Sequence, residues 1–250
     1  MTPKSDDIVR FGPRARIEHA FMILAFVLLS LTGLPQKFAD AGWAQALVAL
    51  FGGVDVMRTV HRVTGFLMVA LVAEHLIVAA WSVATRRCRP SMMVTRQDFH
   101  DAADTLRYYL GLREHEPRFD RYDYKQKFEY WGLVMGSAIM IVSGLILYFP
   151  VLTVSLLPGV VIPAAKVAHS NEAMLALLTI VTWHLYSANL NPEVFPIDKA
   201  IFTGRISRER MLREHPVEYE RLLEAPDVPA DLTAQPEAAE SPAAAVDPAE

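Results

Sequence analysis

The sequence predicts an all-α fold, a four-helix membrane bundle with both termini on the cytoplasmic side, and three observations carry this. Just over half of the 250 residues are hydrophobic (52%), and they gather into four long runs instead of amphipathic stripes. Each run reaches the roughly 20 apolar residues that a helix needs to cross a bilayer. Lys and Arg cluster on alternate sides of those runs, which sets an orientation.

The runs cover residues 17–38, 60–83, 128–151 and 165–188. Their apolar residues run right round the helix, as suits lipid on one side and packed helices on the other. The first run follows basic residues, as a signal peptide would. It is too long for a signal core and ends in Thr32-Gly33-Leu34-Pro35 without a small-residue cleavage site, so it is expected to be retained.

Before the first run lie Lys4, Arg10, Arg14 and Arg16; the 84–127 loop holds ten Lys or Arg; Lys199, Arg205, Arg208, Arg210, Arg213 and Arg221 follow the fourth run. Loops 39–56 and 152–164 hold none. Short basic loops stay in the cytoplasm, so the expected location is the bacterial inner membrane, crossed four times, with lipid as surroundings and no nucleic acid as partner. The net charge of −4 adds little, because the acids behind it sit in loops and tail.

Between the spans, residues 96–112 space Phe99, Ala102, Ala103, Leu106, Tyr109 and Leu110 three and four apart, the pattern of a helix lying on the membrane surface. After the fourth span, two prolines within 189–198 stop the helix. A charged amphipathic helix is expected over about 207–223, closing a membrane domain of residues 1–223. The Ala, Pro and Glu-rich stretch 224–250 reads as a disordered tail.

Cys88 is the single cysteine, on the cytoplasmic side. A disulfide within the chain, an iron–sulfur centre and covalent haem attachment through Cys-x-x-Cys-His are all excluded.

Five histidines lie in or at the rim of the spans: His19, His61, His75, His169 and His184. An ionisable group at membrane depth is costly and by default faces the bundle interior to do chemistry there. His61 and His75 are 14 residues apart, about 40° from the same face and about 21 Å apart in depth. His169 and His184 are 15 apart, about 60° off and about 22 Å apart. Spans two and four run the same way, so His61 and His169 share the outer level, His75 and His184 the inner one. Imidazoles facing each other from different helices suit the axial positions of non-covalent haem, and two levels imply two haems. His19, on the antiparallel first span, also falls at the inner level, leaving three imidazoles for two inner positions.

The blander account, polar side chains bonded within a bundle, fits one such histidine better than four at matched depths. A metal-ion transporter would recruit carboxylates beside its histidines, and Glu74 and Glu172 keep that option. A redox-silent membrane anchor is a further option. Gly33, Gly65, Gly132, Gly136 and Gly144 would let helices or a flat macrocycle approach closely, though Gly132 and Gly136 equally suit plain helix contact. Arg58, Arg62 and Lys166 at the outer rim, and Arg14 and Arg16 at the inner, suit haem propionates or simple snorkelling.

Residues 10–224 also resemble a known family. Its carriers are Arg16-Ile-Glu-His19 and Thr32-Gly33-Leu34-Pro35 on the first span, Arg58-Thr-Val-His61 on the second, and Tyr124-Lys-Gln126-Lys127 before the third. His169, His184-Leu-Tyr and Gly204-Arg-Ile-Ser-Arg-Glu-Arg with His215-Pro complete the set. The chain is similar to the membrane-bound cytochrome b (gamma) subunit of respiratory formate dehydrogenase, in a wider group with the cytochrome b subunits of nickel–iron hydrogenase and thiosulfate reductase. The resemblance implies two b-type haems, the outer held by His61 and His169 and the inner by His19 and His184, with His75 left over. The rival inner pair, His75 with His184, resembles the arrangement in cytochrome b of quinol–cytochrome c reductase.

The resemblance further implies a quinone site beside the inner haem, at Asp123 and Gln126. Here Lys125 replaces a small residue and Asp123 an amide, and a carboxylate there suits proton transfer to reduced quinone. The implied partners are a periplasmic iron–sulfur or multihaem cytochrome c subunit and a catalytic subunit. The expected function is electron transfer between such a partner and the quinone pool, with no other catalytic site in this chain. Kinship of fold does not transfer the substrate.

Overall fold

The computed structural model describes residues 7–192 and 194–225; the expected tail, from 226 onward, lies outside the described residues. Four helices are long and apolar enough to cross a membrane: α1 (Pro13–Lys37), α3 (Val54–Ala84), α5 (Tyr124–Tyr148) and a fourth running Val161–Leu190. The fourth starts as α7 (Val161–Thr179) and continues as two π-helical segments, Ile180–His184 and Tyr186–Leu190. Short α2 (Gly42–Leu50) and α6 (Pro150–Leu156) close one end, and α4 (Arg96–Tyr109) lies at the other.

Residue chemistry sets the boundaries. Pro13 opens α1, where its missing N–H costs nothing. The third span stops at Tyr148 instead of running to 151: Pro150 pushes Phe149 out of helical conformation (φ −113°, ψ 58°) and then starts α6. Asp123 caps α5 by accepting a 2.7 Å hydrogen bond from the Gln126 backbone. Thr95 and Asp98 form a capping box at the start of α4, with the Thr95 N–H bonded to the Asp98 carboxylate at 2.6 Å.

Helix α1 packs along α3 and α5 along α7, while the two pairs touch each other only sparsely. Apart from Met57 and Pro35, buried side chains within the pairs are small or polar, such as Ala25, Thr32, Thr64, Ser143 and Ala165. That composition lets helices approach where lipid supplies no hydrophobic drive for association. Large apolar side chains on all four helices point outward, as a lipid-facing surface requires.

At the α4 end, the first and last described segments build a small platform. Strands β1 (Asp7–Val9) and β2 (Arg205–Ser207) pair antiparallel with Ile8 opposite Ile206, and both side chains pack on Met211. The amphipathic segment expected over 207–223 is two helices, α9 (Arg208–Glu214) and α10 (Pro216–Leu223), because Pro216 breaks it at His215. A short helix, α8 (Ala200–Thr203), precedes β2. Glu218, 1% exposed, holds Arg10 at 2.7 Å and Arg121 at 2.6 Å, tying N-terminus, middle loop and C-terminus together. Arg210 grips Asp198 through two bonds of 2.9 and 2.7 Å.

Two intramembrane histidine pairs

Four of the five membrane histidines meet as two pairs, each spanning the two helix pairs. His61 on α3 faces His169 on α7, with ring centres 6.3 Å apart and ring planes at 77°. His19 on α1 faces His184 on the π segment, with ring centres 6.2 Å apart. All four rings are half-buried. The first pair sits toward the α2 and α6 end, the second toward the α4 end.

The surroundings of the first pair repeat on both sides. Gly33 lies so close to His61 that a Cβ there would stand 3.0 Å from its Cε1, and a Cβ on Gly144 would stand 3.3 Å from Cε1 of His169. The residue before each glycine carries a hydroxyl: Thr32 Oγ1 is 2.9 Å from His61 Nδ1, and Ser143 Oγ is 3.0 Å from His169 Nδ1. Each hydroxyl has one proton, and each donates it at 2.6 Å to a carbonyl one turn back, that of Leu28 or Ile139. The hydroxyls must then accept from the rings, so both Nδ1 atoms carry the proton and both Nε2 atoms keep a lone pair.

At the second pair, His184 Nδ1 meets Glu129 Oε1 at 2.5 Å. A carboxylate accepts only, so here too the proton sits on Nδ1 and Nε2 is left to bind. The ring of His19 makes no hydrogen bond to a described residue.

His75 is placed differently. Its Nδ1 bonds Glu18 and its Nε2 lies 3.1 Å from the Tyr130 hydroxyl, against whose ring it packs at 5.8 Å. Both ring nitrogens are thereby engaged. Glu74, its neighbour in sequence, pairs with Arg14 at 2.8 Å, and Glu172 rests against Gly136 on α5. Among the described residues no group of three or more His, Cys, Asp or Glu side chains is arranged to hold a metal ion.

Asp123 and Gln126 come together at the start of α5, but through the helix cap: the Asp123 carboxylate meets the backbone of Gln126, whose side chain is exposed. Lys127, one residue on, is buried against Asp98 of α4 at 2.7 Å. Burial opposes the Asp98 charge, yet Lys127 and the Thr95 bonds outweigh it and hold the carboxyl below its usual range.

The Nδ1 partners Thr32, Ser143 and Glu129, the Glu18 and Tyr130 contacts of His75, and the π segments around His184 were not read from the sequence. Two signals pointed to some of them. Thr32-Gly33 and Ser143-Gly144 place a hydroxyl beside a glycine on two spans, and Glu129 is an acid inside a third. A π segment is itself a frequent companion of functional residues.

Two imidazoles that bind one iron from opposite faces put their ring centres about 6 Å apart, from about 2 Å per metal–nitrogen bond and about 1 Å from nitrogen to ring centre. Both pairs meet that spacing with lone pairs available, so these residues fit a haem. A four-span bundle with such pairs defines the class, a membrane cytochrome of the b type. Residues 10–204 match the model of the prokaryotic cytochrome b561 family, and the chain belongs to that family. A b-type haem and a multi-pass place in the inner membrane come with it.

The resemblance to formate dehydrogenase subunits holds as well. The chain is 25% identical over 188 residues to the cytochrome b556(fdo) subunit of formate dehydrogenase from Escherichia coli strain K12, covering 74% of this chain and 80% of that one. It is 26% identical over 197 residues to the formate dehydrogenase cytochrome b556 subunit of Haemophilus influenzae, covering 72% and 70%. To the nitrate-inducible b556(Fdn) subunit of Escherichia coli strain K12 it is 23% identical over 227 residues, covering 89% and 94%.

Proposed function

We propose that the protein is a two-haem cytochrome b that passes electrons between a periplasmic redox partner and the quinone pool, as the membrane subunit of a respiratory oxidoreductase. The observation that carries this reading is the pair of imidazole couples, 6.3 and 6.2 Å between ring centres, at two depths of one bundle. His61 with His169 would hold the outer haem, and His19 with His184 the inner one. His75 is left out because both its nitrogens are engaged. Bound there, haem iron supplies reversible one-electron chemistry. Thr32, Ser143 and Glu129 hold the Nδ1 protons and so fix which nitrogen each ring presents and how it is turned.

Basic loops at the α4 end support a cytoplasmic location for both termini and for the inner pair. The quinone would bind near that pair, where Glu129, bonded to His184, follows Asp123 and Gln126 within two helical turns. Asp123 keeps a second carboxylate oxygen beyond its cap bond, a route for a proton to or from the quinone. Relatives named as formate dehydrogenase subunits support a catalytic subunit and an iron–sulfur or cytochrome c subunit as partners.

Purified protein tests the reading directly. The expected result is a b-type reduced-minus-oxidised spectrum, two haems per chain, and reduction by a quinol analogue. A preparation with zinc or nickel in place of haem iron would instead favour metal transport.

A further inference from the structure

Five cations lie near the histidine pairs, and helix phase sorts them. Arg16, Arg58 and Lys166 each precede a paired histidine by three residues: His19, His61 and His169. That spacing puts cation and imidazole within about 60° on one helix face, with the cation about one turn nearer the bundle end. Arg62 adjoins His61 at a different phase and lies over the Tyr148 ring at 5.7 Å. Arg14 is taken by Glu74 at 2.8 Å and Glu18 at 3.5 Å.

The three in-phase cations share a second property. None has an acidic partner among the described residues, whereas Arg14, which lies off this phase, has two. The Nε of Arg16 is buried with no hydrogen-bond partner, which is costly for a charged donor. Gly204, at φ +82°, makes room for this side chain, since a Cβ there would stand 3.2 Å from Arg16 Cδ. Arg58 and Lys166 stand in the second turns of α3 and α7, toward the bundle end that holds α2 and α6. Arg16 has a buried donor to satisfy, and the exposed Arg58 and Lys166 stand at the same phase with no acid to compete for an incoming anion.

We propose that Arg16, Arg58 and Lys166 bind the carboxylates of the haems, Arg58 with Lys166 at the His61–His169 pair and Arg16 at the His19–His184 pair; this rests on the two-haem reading above. Two carboxylates with two cations at the outer level, against one in-phase cation at the inner, make the two sites electrostatically unequal. A cation beside the haem favours the added electron, so its removal lowers the midpoint potential of that haem.

Potentiometric titration of the purified full-length protein, with haem counted per chain, tests this. The R58Q/K166Q variant is expected to lower one of the two one-electron waves by about 59 mV, a tenfold loss in the reduction equilibrium, and to weaken haem retention at that site. R16Q is expected to lower the other wave. R58K/K166R, which keeps both charges, should restore the wild-type potential, separating charge from folding. If the cations serve lipid phosphate instead, both waves and the haem count stay unchanged in R58Q/K166Q and R16Q, and the proposal is overturned. It is equally overturned if both variants move the same wave. A wild-type protein lacking two haem waves overturns the two-haem reading itself.

Discussion

Oε1 of Glu129 lies 2.5 Å from Nδ1 of His184, so a carboxylate from the start of one span holds the imidazole of another. Such a bond fixes ring orientation and raises the electron-donating power of Nε2. No equivalent acid serves His61 or His169, whose Nδ1 atoms meet neutral hydroxyls. The two levels therefore differ in the basicity of their imidazoles.

Glu129→Gln is expected to raise the midpoint potential of the inner haem, because an acceptor of lower charge stabilises ferric iron less. A tenfold change in the reduction equilibrium corresponds to about 59 mV for one electron. Redox titration checks this, with the outer wave as the unshifted internal control.

Gly33→Ala is expected to cost about 1–3 kcal/mol through overpacking, since the new Cβ would stand 3.0 Å from His61 Cε1. Alanine otherwise favours a helix interior by about 1 kcal/mol over glycine, so a net loss isolates the ring contact. Gly144→Ala, with 3.3 Å to His169, should cost less. Thermal unfolding and haem content of the two variants, compared with Gly65→Ala where nothing lies within 4 Å, give the measurement.

The spans and the matched depths of the histidines were legible because apolar run length and residue spacing are one-dimensional quantities. Pro150 and Pro216 were legible too, but apolar patterning outweighed them, and they move the end of α5 to Tyr148 and split α9 from α10. Residue spacing left the pairing at the inner level open, and only the family resemblance implied His19 with His184. That pairing depends on how helices rotate about their axes, and a few tens of degrees decide whether His19 or His75 faces His184. The π segments around His184 defeat a fixed 3.6-residue count as well. Thr32 stood in the sequence only as part of the Thr32-Gly33-Leu34-Pro35 stretch and Ser143 not at all, because each acts through a histidine on another helix.

His215 gives the platform a pH dependence. Its ring is 4% exposed and bonds the Asp120 carbonyl oxygen at 2.9 Å; burial first, then nearby Arg10, pushes its pKa down. The unfolded chain then binds a proton more readily than the folded one, so stability from this group is complete above the ordinary histidine value near 6.5 and falls as pH drops toward the lowered one. Limited proteolysis within 207–223 should accelerate as pH is lowered from about 7 to 5.5. His215→Gln is expected to flatten that dependence.

His75 and His19 occupy the same level, and their bonding separates them. A ligand needs a free lone pair, and His75 spends Nδ1 on Glu18 and Nε2 on the Tyr130 hydroxyl, while His19 makes no hydrogen bond to a described residue. Recruiting His75 would break both bonds and leave the half-buried Glu18 with only the more distant Arg14, 3.5 Å away. His19→Ala is therefore expected to leave one haem per chain, and His75→Ala to keep two with unchanged low-spin spectra. Haem content by pyridine haemochrome, normalised to protein, decides between them. A loss confined to His75→Ala would move the inner site to the His75–His184 pair and require the bundle to turn α3 toward the fourth span.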